Sequence, residues 1–171
     1  MGNDPATLFR LAALNSDYAA CIDADRLDDW PNFFLEDCVY KITTADNYRR
    51  GYAAGVIYAD SRAMLLDRVA ALREANIYER HTYRHIVGMP RVTVECADTA
   101  EIAGTATAAA PVVAETPFLV IRTMRDGRMD IFAAGRYLDR VASDRDGTLR
   151  FAERIVVCDS PRFDTLLAIP L

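Results

Sequence analysis

Lysine is almost missing from this chain: Lys41 is the only one among 20 basic residues, the rest being arginine. With 25 acids the net charge is −5 and the pI about 5.0. That balance excludes the basic footprint that nucleic-acid binding needs. A cation set made almost wholly of arginine suits bidentate carboxylate pairing and interface contacts. Histidine is nearly as rare, with only His81 and His85. The four cysteines, Cys21, Cys38, Cys96 and Cys158, form no Cys-x-x-Cys pair and read as buried, reduced core thiols. No long apolar run exists; the longest uncharged stretch, Ile102 to Ala114, holds Gly, Thr and Pro and is too short to span a bilayer. Met1 to Leu14 lacks the basic start and apolar run of a signal peptide, so a cytoplasmic protein is expected, without membrane or nucleic-acid partners. No Gly-x-Ser-x-Gly elbow occurs. Gly51-x-x-x-Gly55 is not followed by Lys-Ser/Thr, which excludes a phosphate-cradling loop.

What is present is an ordinary globular composition, 51% apolar (Tyr included) and 26% charged, over 171 residues. It suits one domain, residues 1–171, able to bury a core without staples. Leu8, Leu11, Leu14, Tyr18, Cys21 and Ile22 recur at three- and four-residue steps and predict a helix over Pro5 to Ala24. Asp4 is its N-cap, with proline first. Asp25 is expected to cap a short helix through Trp30 and Phe34 that ends near Asp37. Cys38 to Thr44 alternates as a strand. A third helix starts at Ser61, with Met64, Leu65, Val69 and Leu72 as its apolar stripe. His81 to Met89 and Arg91 to Cys96 read as strands. Asp126-Gly127 and Asp146-Gly147 each mark a hairpin turn between long strands. Helices first and an antiparallel meander second give an α+β fold, with helix stripes on one sheet face. Ala97 to Thr116 is rich in Ala and Thr and reads as strand, edge loop or both.

A two-Cys, two-His iron–sulfur centre needs paired Cys-x-His and Cys-x-x-His motifs, and neither half is here. A non-haem iron site needs two His and a carboxylate on one face of the ion. His81, His85 and Glu79 are the candidates, yet the strand-like HTYRHIVGM sets the histidines about 13 Å apart. No metal or cofactor site is therefore assigned to the chain. Acid–base chemistry stays open: Asp17, Tyr18, Asp23, Tyr40 and His85 can share a concavity if the sheet curls round the first helix. In the alternative reading, Asp17 and Asp23 are solvated helix-face charges and His85 is an interface or second-layer hydrogen-bond donor. Trp30, Phe33, Phe34 and Tyr40 form an aromatic cluster that reads as core. The apolar ending, Phe163 to Leu171, is expected to pack either on its own fold or on a neighbouring subunit.

ALREANIYERH (Ala71 to His81) and YRHIVGMP (Tyr83 to Pro90) resemble the β, or small, subunits of aromatic-ring-hydroxylating dioxygenases, which are Rieske non-haem iron enzymes. Asp46-Asn47, Gly51-x-Ala53-Ala54-Gly55, GRYLDR, TLRFAERIVVCDS and the closing LLAIPL extend the resemblance over most of the chain. Ala97 to Thr116 departs from the pattern by its length. The resemblance implies a cone-shaped fold like nuclear transport factor 2 (NTF2), with N-terminal helices packed on a curved antiparallel sheet. It implies a non-catalytic role, stabilising an α3β3 hexamer through contacts with the large α subunit and other β subunits. The [2Fe-2S] Rieske cluster and mononuclear Fe(II) would sit on that α subunit, with NAD(P)H electrons arriving through a separate reductase. Terephthalate is the substrate the resemblance favours, giving a cis-dihydrodiol dicarboxylate, with salicylate or another aromatic acid as the neighbouring possibility. Trp30, His85, Leu166, Leu167 and Leu171 are the residues whose chemistry suits a subunit interface. The competing reading is a stand-alone NTF2-like dehydratase or isomerase using His85 with Asp or Tyr partners.

Overall fold

Asp4 opens the first helix as its sequence suggests. Its carboxylate accepts the backbone N–H of Thr7 at 3.3 Å, and Pro5 takes the first helical position of α1, Pro5–Asp23. The computed structural model describes residues 4–53, 55–74, 80–95, 111–162, 167 and 169–171. After α1 comes a single 3-10 turn, Trp30–Phe33, and then β1, Phe34–Thr44. The helix expected up to Asp37 is thus replaced by strand, and Asp25 caps nothing there. Its backbone turns to φ +56°, and its carboxylate accepts from Arg73. Two elements had no counterpart in the sequence reading: α2, Ala45–Arg49, and the short β2, Ile57–Ala59. α3 spans Arg62–Glu74 and buries Leu65, Val69 and Leu72, while Met64 stays exposed. β3 (His81–Val87), β4 (Arg91–Glu95), β5 (Val112–Met124), β6 (Met129–Ser143) and β7 (Leu149–Cys158) follow.

The seven strands form one sheet in the order β2-β1-β7-β6-β5-β3, with β4 pairing β5 beyond β3. Both predicted hairpins exist. Gly127 and Gly147 take φ +87° and +78°, the left-handed turn conformation that glycine adopts without strain. The sheet is mixed rather than wholly antiparallel, because β1 lies parallel to β7, with Tyr40 against Arg154 and Ile42 against Val156. Residues 112–116, left open by the sequence, begin β5; residues 97–110 fall outside the described set.

The helices cover one face of the curved sheet, and the core lies between them. Tyr18, Phe34 and Phe151 meet edge-on or tilted there, at centroid distances of 5.5 to 6.2 Å. Gly135 on β6 shows how tightly β6 and β7 approach: a Cβ there would lie 2.0 Å from the Val157 carbonyl oxygen. Gly135→Ala is expected to cost about 1–3 kcal/mol, read as a lower urea midpoint with an unchanged slope.

Candidate functional site

A strand places alternate side chains on one face. His81, Tyr83 and His85 of β3 therefore turn inward, while Thr82, Arg84 and Ile86 are exposed. Asp23, in the last turn of α1, reaches this inner row. Its Oδ2 accepts the backbone N–H of His85 at 2.9 Å, and its Oδ1 lies 2.6 Å from the ring Nδ1. The Arg84 guanidinium stands 3.6 Å from the same carboxylate. Asp23 is only 6% exposed and the imidazole 0%. The structure thus selects the buried pair for Asp23 and excludes the solvated helix-face charge, whereas Asp17 is exposed. His85 Nε2 is buried with no hydrogen-bond partner.

Deeper in lies a buried ionic group. Asp139 of β6 stands directly opposite Arg154 of β7. Arg154 Nε and Nη2 each donate to that carboxylate at 2.8 Å, and Nη2 also meets Asn15 Oδ1. Asn15 donates in turn to Thr116 Oγ1 at 3.3 Å. The guanidinium lies 3.7 to 4.2 Å from the ring centroids of Phe151, Tyr137 and Tyr18. Burial pushes the Asp139 carboxyl up against the downward pull of Arg154, and Asp139 in turn holds the guanidinium charged. Sequence reasoning missed this group. Its signal was present, since both charges occupy positions that alternate in phase with buried apolar residues.

The apolar ending joins the core. Tyr18 and Tyr40 donate their hydroxyls to the Leu171 carbonyl at 2.7 and 3.1 Å, and Arg68 donates to the Leu167 carbonyl at 3.0 Å. Leu167, Ile169 and Leu171 are buried, so these residues of the ending pack on their own fold, one of the two outcomes expected; residues 163–166 and 168 lie outside the described set. Burial holds the Tyr40 and Tyr137 phenols well above their ordinary pKa. The residues put forward for an interface lie inside: Trp30, against Phe34 and Tyr40, is fully buried, as are Leu167, Leu171 and the His85 ring. Leu166 is outside the described residues.

A cleft of about 970 Å³ opens at the mouth of the cone, where β3 starts and β5 ends. The ends of α1 and α3, the start of β3, the end of β5 and Ile169 line it. His85 is not on its wall. Nor do the described residues fit a metal centre. His81 and His85 lie four apart along one strand with the Tyr83 ring between them, at 4.8 and 6.2 Å. Cys21, Cys38 and Cys158 are buried thiols, with Cys38 and Cys158 pushed up to about 11 and about 12 by burial, and so protonated. No cluster of three or more His, Cys, Asp or Glu that could hold an ion occurs among the described residues, and no helix there is long and apolar enough to cross a membrane.

The family model of the SnoaL-like domain matches residues 10–155. A β subunit of the terminal oxygenase component of terephthalate 1,2-dioxygenase from Comamonas sp. is 49% identical, over 95% of this chain and 97% of its own. The small subunit of anthranilate 1,2-dioxygenase from Burkholderia cepacia is 36% identical, over 98% and 96%. Among solved structures, a β subunit ascribed to an aromatic-ring-hydroxylating dioxygenase of Novosphingobium aromaticivorans superposes with a TM-score of 0.80, at 36% identity and 97% coverage of both chains. With this likeness running nearly end to end, the chain belongs to the SnoaL-like proteins, and within them to the small-subunit family of the aromatic-ring dioxygenases.

Proposed function

We propose that this chain is the non-catalytic small subunit of a cytoplasmic terephthalate dioxygenase, acting as one domain, residues 1–171, in an α3β3 oxygenase. In that complex the large subunit carries the Rieske cluster and the mononuclear iron, and a separate reductase passes on electrons from NAD(P)H. The substrate assignment follows the Comamonas relatives, which are 49% and 50% identical, against 36% for the anthranilate protein. The observation that carries the architectural role is that the buried polar groups are engaged with one another: Arg154 with Asp139, and Tyr18 and Tyr40 with the Leu171 carbonyl.

Among the described residues, the Asp23–His85 pair is the feature that a dehydratase or isomerase could use. Asp23 lines the cleft, but His85 does not and its Nε2 is buried, which supports reading the pair as a tie between α1 and β3. Contact with the large subunit falls instead to the outer sheet face. Ile86 is 53% exposed and Ile131 69%, and both lie beside outward residues of β5, Leu119 and Ile121. An apolar sheet face left uncovered is a mark of an interaction site. Trp30, His85, Leu167 and Leu171 are buried and would act on a subunit interface only through the packing of this chain.

Co-expression with a Rieske-type large subunit, followed by mass and iron determination, tests the assignment. A complex of equal α and β content is expected, with all iron travelling with α. Ile86→Glu with Ile131→Glu should abolish co-purification while the small subunit stays folded. Failure of the unaltered chain to co-purify would refute the subunit role.

A further inference from the structure

β3 and β5 run antiparallel with His81 opposite Met124. The next residue outward on each side is an arginine, Arg80 and Arg125, and both line the cleft at the cone mouth. Neither has a hydrogen-bond or ion-pair partner among the described residues. The other charges on the wall are matched. Arg73 holds the two Asp25 oxygens at 3.1 and 3.0 Å, and Asp23 is taken up by His85 and Arg84. Two exposed arginines therefore stand at the rim of the recess, with no acid assigned to them among the described residues. Part of its wall is apolar and aromatic, with Ile22, Leu72 and Ile169 and the His81 and Tyr83 rings 4.8 Å apart, while Asp23, Thr82 and Thr123 line other parts of it.

We propose that this cleft binds an aromatic carboxylate, with its carboxylate between Arg80 and Arg125 and its ring against the His81–Tyr83 side. Guanidinium forks match a carboxylate bidentately. The cleft volume, about 970 Å³, is that of sites that take small organic ligands. A strongly hydrated inorganic anion would match the arginines but leave the apolar wall uncovered. The site belongs to this chain alone and stands whether or not the chain joins an oxygenase, so it goes beyond the subunit role.

The test is calorimetric titration of the full-length chain with benzoate, terephthalate and inorganic phosphate at low salt. One saturable site per chain is expected for the aromatic acids, weakening as salt screens the arginines. Arg80→Ala and Arg125→Ala should each lower affinity about tenfold, while Arg128→Ala, in the same turn but off the cleft wall, should not. No saturable binding, or affinity untouched by both cleft variants, overturns the proposal. Phosphate binding as tightly as benzoate overturns its aromatic part. Protection of Arg80 and Arg125 from phenylglyoxal by a large subunit, but by no aromatic carboxylate, would assign the pair to a protein contact and overturn it as well.

Discussion

Asp139→Ala is expected to destabilise the chain by about 3–5 kcal/mol, on the order of 10 °C in melting temperature for a chain of this size. Arg154 is wholly buried, and Asp139 is the carboxylate that neutralises it. Removing the carboxylate leaves a cation enclosed by three rings, whose attraction, about 1–2 kcal/mol for a desolvated contact, cannot replace an ion pair. The cost should come from the stranded charge rather than from the lost contact. Asp139→Leu combined with Arg154→Met should therefore recover most of it, because a well-packed apolar pair is often as stable as the ion pair it replaces. A thermal melt of the single and double variants decides the point. Equal losses in both would show that the network's shape, and not its charge, holds the interior.

Ending the chain at residue 166 should have an even larger effect. Leu167, Ile169 and Leu171 are each at least 93% buried by exposures of 4%, 7% and 0%. At roughly 1.5–3 kcal/mol for each large aliphatic side chain, their loss removes about 5–9 kcal/mol, an upper bound. That is the whole stability of a typical domain. The hydroxyls of Tyr18 and Tyr40 would also lose their shared acceptor inside the core. We expect the shortened chain to be insoluble, or soluble with strong dye binding and no cooperative melt. A native-like melt within a few degrees of the full chain would show that the segment is dispensable.

Much of this architecture was legible where local chemistry decides it. Asp4-Pro5 opened α1, the Asp-Gly pairs turned the hairpins, and the three- and four-residue rhythm of Leu11, Tyr18 and Ile22 marked the buried stripe. The reading failed where distant residues decide. The apolar run around Phe33 to Leu35 suits helix and strand alike, and only pairing with β7 extends β1 back to Phe34. The parallel β1–β7 contact leaves no local mark, because no turn joins those strands. Asp23 looked like a surface charge because its partners, Arg84 and His85, lie on another element. The cleft arginines escaped attention for a similar reason, since their juxtaposition exists only in the β3–β5 register.

The parallel pairing of β1 with β7 has a consequence for biosynthesis. A ribosome releases β1, ending at Thr44, long before β7, which begins at Leu149, so one flank of β1 emerges with nothing to bond. An unpaired strand flank is a template for wrong partners, and contacts so remote in sequence form slowly. Nascent copies of this polypeptide should depend on holdase chaperones until translation ends, and a slower rate of elongation should lengthen that vulnerable interval.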